Sequence, residues 1–92
     1  MNDTLRLGQV VSSIQGHDKG QYYIIVSMDS KNVWLCDGKF KFLKKPKRKN
    51  ILHIKPTNYV DNEILHKLND GLKINDQMIY HALLKFKKSN QE

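Results

Sequence analysis

Taken with a period of two, residues 8–14 put Val10, Ser12 and Ile14 on one side and Gln9, Val11 and Ser13 on the other, with apolar and polar residues on each. That pattern suits a strand of a barrel. Gln15, Gly16, His17, Asp18, Lys19 and Gly20 then place two glycines around a polar tip, which predicts a tight turn, because glycine tolerates the positive φ such loops require. Residues 22–28 are almost entirely aromatic or β-branched and predict a central strand. Residues 29–32 read as a reverse turn, and Val33, Trp34, Leu35 and Cys36 as the strand returning from it, so the two runs form a hairpin. Asp37 and Gly38 make the next turn. Over 39–43 charge alternates with aromatic, predicting a fourth strand with Phe40 and Phe42 facing in and Lys39 and Lys41 facing out. A last alternating run at 51–55 stops at Pro56, which cannot donate to the ladder of a central strand. Five short strands separated by turns imply a small antiparallel barrel.

The period then lengthens. Residues 61–68 space their apolar side chains for a helix with an acidic first turn, and Gly71 ends it. Asn75 and Asp76 can cap a second helix, in which Met78, Ile79, Ala82, Leu83 and Phe86 form one apolar stripe suited to packing on the first helix and the barrel. The expected fold is therefore mainly β with α: a barrel over 1–57 with a basic loop at 44–50, and a helical extension over 58–92 packed on it as one folding unit. A chain of 92 residues leaves little room for a second core.

Charge changes the picture from fold to partner. The net charge of +7 is not spread evenly: residues 1–38 hold three basic and four acidic side chains, residues 57–92 hold five of each, and the interval 39–56 carries eight basic residues and no acid. These are Lys39, Lys41, Lys44, Lys45, Lys47, Arg48, Lys49 and Lys55. Such a block repels itself, so it stays solvated or meets a polyanion. Seven lysines to one arginine suit attraction to backbone phosphates better than bidentate reading of base edges. The loop at 44–50 is expected to remain disordered until RNA orders it. Its basic run also fits a nuclear localisation pattern, a short and common one.

Other chemistries find less support. No apolar run approaches the length of a membrane span, and the first residues have no signal-peptide pattern. With the single Cys36, which can form no internal disulfide, this points to a reducing, cytoplasmic setting. His17, His53, His66 and His81 are scattered without a ligand pair, so no metal or other cofactor is expected. No nucleophile, base and orienting group cluster, and no enzymatic activity is expected. Of the eight aromatics, Tyr22, Trp34 and Tyr59 are the candidates for stacking on bases, whereas Tyr23, Phe40, Phe42 and Phe86 lie on stripes that packing explains.

The segments Gly8-Gln9-Val10-Val11, Gly16-His17-Asp18-Lys19-Gly20 and Tyr23-Ile24-Ile25-Val26 resemble the KOW family, whose motif joins two strands of a small SH3-like barrel through a glycine-bearing turn. With Val33-Trp34-Leu35-Cys36-Asp37-Gly38, the basic segment and His53-Ile54-Lys55-Pro56-Thr57-Asn58, the wider chain looks like bacterial KOW-domain RNA-binding proteins similar to the large-subunit ribosomal protein family fourteen-e. The resemblance implies binding to RNA, often ribosomal RNA, through the loops at one end of the barrel and the attached basic strand, with ribosomal proteins as neighbours. It adds Lys19 to the contact candidates. A protein of this kind is expected to be monomeric when free. The competing expectation is a protein-interaction module docking on a translation or transcription factor, with the basic segment serving solubility.

Overall fold

The computed structural model describes residues 5–89, so the outermost residues of the expected 1–57 and 58–92 units lie outside it. Five strands, β1 (Gln9–Ser13), β2 (Tyr22–Met28), β3 (Asn32–Cys36), β4 (Lys47–Asn50) and β5 (Ile54–Val60), are followed by helices α1 (Asn62–Asn69) and α2 (Asp76–Ser89). They form one antiparallel sheet in the order β4-β3-β2-β1-β5.

The run at Tyr22–Met28 reads as continuously apolar because both faces of the sheet are buried at its centre. On one face Val10, Ile24 and Cys36 pack against Ile64 of α1 and Ile79, Ala82, Leu83 and Phe86 of α2. On the other, Val11, Tyr23, Ile25, Val33, Leu35 and Ile54 form a second cluster. Adjacent residues of one strand thus serve different cores. Val26 falls in a bulge, where the register shifts between Ile25 and Ser27, so the inward-outward pattern changes phase there.

The helices begin and end where side chains satisfy their open backbone groups. The Asp61 carboxylate accepts the Ile64 N–H at 3.0 Å, and the Asn75 side chain accepts the Met78 N–H at 2.8 Å. After α1 the chain turns through Gly71 at φ 71°, with Leu72 N–H donating to the Lys67 carbonyl and Gly71 N–H to that of Leu68, a Schellman ending. Two other glycines let strand ends approach helix starts: a Cβ on Gly8 would lie 2.9 Å from the Asp61 carbonyl oxygen, and one on Gly38 would collide with the Asp76 carbonyl oxygen and with Tyr80.

Four sequence expectations need correction. The sheet does not close into a barrel: β4 and β5 are its two edges, and the 3-10 turn Ile51–His53 joins them without a ladder between them. Residues 39–43 form no strand. The Asp37 carboxylate oxygen Oδ1 accepts the N–H groups of Lys39, Phe40 and Lys41 at 2.9, 2.8 and 2.7 Å, and this local competition removes the donors a ladder needs. Phe40 and Phe42, expected inside, are therefore 72% and 42% exposed. The fourth strand lies instead within the expected loop at 44–50, as Lys47–Asn50, paired to β3 through Leu35, Trp34, Val33 and Asn32. Finally, β5 runs through Pro56 to Val60, which an edge strand permits. Its pairing slips between Gln9 and Val11, and the buried Gln9 side chain takes up the freed groups, accepting from Arg6 N–H and donating to the Thr57 carbonyl, each at 2.8 Å.

Candidate nucleic-acid interface

The basic residues occupy three places. Lys39, Lys41, Lys44 and Lys45 lie on the loop from β3 to β4, Lys47, Arg48 and Lys49 on β4, and Lys55 on β5 at the opposite edge of the sheet. Lys19 is exposed on the turn between β1 and β2. Cross-strand pairing sets the direction of the β4 side chains: Lys47 and Lys49 lie opposite Leu35 and Val33, on the face of the second apolar cluster, while Arg48 lies opposite Trp34 on the other face.

That alternation decides which cations are free. Lys49, with a side chain only 10% exposed, donates from Nζ to Asp18 Oδ1 at 2.7 Å and to the Gln15 carbonyl at 2.9 Å. Lys47 approaches Asp18 Oδ2 at 3.6 Å. Asp18 also accepts from the Ser13 hydroxyl at 2.8 Å and the Tyr23 hydroxyl at 3.0 Å. Burial alone would raise this carboxyl, but the bonds from Lys49, Ser13 and Tyr23, with the charge of Lys47, outweigh it and hold the group far below the usual carboxylate range. Burial and the Asp18 carboxylate push the Tyr23 phenol well above its ordinary value. The glycine turn is thereby fastened to β4 by side chains across the mouth of the open sheet. Arg48, Lys44, Lys45, Lys39 and Lys55 remain exposed, and Lys41 is half-buried.

The loop between β3 and β4 is held at both ends. Beyond the three N–H groups gathered by Asp37, the Leu43 N–H donates to Asp76 Oδ1 at 2.8 Å, and the Lys45 N–H donates to the Phe42 carbonyl at 3.0 Å. Phe40, Phe42 and the lysines at 41, 44, 45 and 47 line a groove of about 820 Å³ beside the start of α2. The Lys39 ammonium lies 5.3 Å from the centre of the Phe40 ring.

The stacking candidates are placed differently. Tyr22 and Tyr59 both pack on Phe86, with ring centres 5.0 and 5.6 Å from it, and Trp34 is half-buried on β3 beside Arg48. Phe40 and Phe42 are the rings sequence reasoning passed over. The signal that could have found them is Asp37 followed by glycine, an acid placed to gather the next backbone donors. Cys36 is buried, and burial with the charges of Asp76 and Asp37 pushes its thiol up to about 12, which leaves it unreactive at neutral pH. Among the described residues no helix is long and apolar enough to cross a membrane. No family model matches the chain, and no curated protein matches it.

Proposed function

We propose that this chain is a non-enzymatic RNA-binding protein of the SH3-like, KOW type, acting on ribosomal or another structured RNA. The observation that carries this reading is the stretch from Lys39 to Lys49, seven basic residues without an acid, displayed on an anchored loop and an edge strand rather than on a solvated tail. Of its acidic neighbours, Asp18 is paired with Lys49, while Asp37 and Asp76 accept backbone N–H groups and keep their charge, outnumbered by the exposed cations. The positive field of the exposed lysines and Arg48 is left for phosphates. The KOW part of this reading rests on the sequence of the glycine turn joining β1 to β2, where Gly16 and Gly20 both have φ 92°.

With Lys47 and Lys49 withdrawn toward Asp18, six cations of the 39–56 block remain. If all six meet phosphates of an unpaired strand, the log-log salt slope of binding is about −4. The test is the affinity of the full chain for labelled ribosomal RNA between about 50 and 200 mM salt, together with sedimentation of the protein from cell lysate with and without RNase. Steep weakening with salt and RNase-sensitive migration with the large ribosomal subunit are expected. Salt-insensitive migration with an RNase-resistant partner would replace this reading by the protein-interaction module.

A further inference from the structure

Phe40 and Phe42 stand in water although the chain has two apolar cores in which rings could be buried. Single exposed apolar side chains are ordinary, but here two phenyl rings from one short loop share a groove with four lysines. The backbone beneath them is fixed by the Asp37 and Asp76 carboxylates, and Gly38 fits so closely against Asp76 and Tyr80 that the loop cannot slide inward. The loop therefore presents two planar apolar surfaces in a field of cations, and a ligand matching both is polyanionic and carries flat rings of its own. The acid lining the groove, Asp76, has Oδ1 taken by the Leu43 N–H.

We infer that this groove binds unpaired nucleotides of RNA, with Phe40 and Phe42 stacking on bases and Lys41, Lys44 and Lys45 meeting the adjoining phosphates. The inference rests on the RNA-binding reading and adds to it that the recognised element is single-stranded, because paired bases are already stacked on one another and do not offer their faces. Selectivity among bases is weak, since every base has a face to stack.

The experiment compares the full chain with Phe40→Ala, Phe42→Ala and Phe40→Trp, after thermal unfolding has shown that each variant folds. The probes are a fluorescein-labelled oligouridylate, an RNA hairpin with a fully paired stem and minimal loop, and heparin, a polyanion without bases. Each alanine variant is expected to weaken oligouridylate binding about 5- to 150-fold without changing its salt slope. Affinities for hairpin and heparin stay unchanged, and Phe40→Trp retains or improves oligouridylate binding. Unchanged oligouridylate affinity in both alanine variants, with wild-type binding still steeply dependent on salt, would overturn the stacking site and leave the RNA-binding reading standing. Equal losses for heparin would likewise overturn stacking. Failure of the wild type to bind either RNA would overturn both.

Discussion

Removing the Asp18 carboxylate would take away an acceptor shared by three donors, from Ser13, Tyr23 and Lys49, of which Ser13 and Lys49 keep the Gln15 carbonyl. Charge-assisted bonds of this kind contribute about 1.5–3 kcal/mol, and orphaned partners add to the loss, so Asp18→Ala is expected to lower the unfolding free energy by about 2–4 kcal/mol in urea titrations at neutral pH. The pH dependence has a definite sign. The folded carboxyl titrates below its unfolded value of about 3.9, so its contribution is complete above about pH 5 and fades as pH falls below 4 toward the folded value. In Asp18→Asn that acid-dependent part should vanish. Parallel stability curves for wild type and variant from neutral pH down to about pH 2 would mean that the carboxylate is not held by these partners.

At the level of elements, glycines with similar positive φ give different expectations. Gly38→Ala forces a Cβ into the backbone of α2 and adds left-handed strain, a combined cost of about 2–5 kcal/mol. Gly20 has nothing within 4 Å of the same position, so Gly20→Ala meets strain alone, about 1–2 kcal/mol. Equal midpoint shifts in urea would show that the close approach of loop and helix is not rigid. Asp37→Ala should leave the sheet intact but speed amide exchange at Lys39, Phe40 and Lys41, whose N–H groups it gathers. These same features mark where the sequence was legible. β2, β3 and both helices follow from continuous apolar character, from period and from capping residues. The alternation at 39–43 is as regular as theirs, yet a single upstream carboxylate overrides it. Conversely, Lys47–Asn50 has no apolar residue to announce a strand, and becomes one because β3 needs a neighbour and the lysine stems can cover Val33 and Leu35 while their ammonium groups reach Asp18. Of the candidate site, the charge block was legible in composition. Which of its cations are free was not, because that depends on pairing across β3 and β4.

For the whole molecule, the division between engaged and exposed cations separates stability from binding. Lys44→Gln with Lys45→Gln should change unfolding free energy by less than about 0.5 kcal/mol while reducing the salt slope of RNA binding by about 1.4. Lys49→Gln should do the reverse, costing about 1.5–3 kcal/mol of stability with little change in slope. Calorimetry and anisotropy on the same preparations would read both, and a slope that fell most for Lys49→Gln would place that ammonium on RNA instead of on Asp18. The position of β4 at the edge of the sheet has a further consequence. Edge strands are templates for unwanted pairing with another chain, and charge is a common guard against it. Here Lys47, Arg48 and Lys49 would also guard solubility, so a cell that acetylated the two lysines would weaken both ion pairs to Asp18 and at the same time uncover a strand ready to join its neighbour's. Concentration-dependent light scattering of Lys47→Gln, Arg48→Gln, Lys49→Gln should rise where the Lys44→Gln, Lys45→Gln protein stays clear.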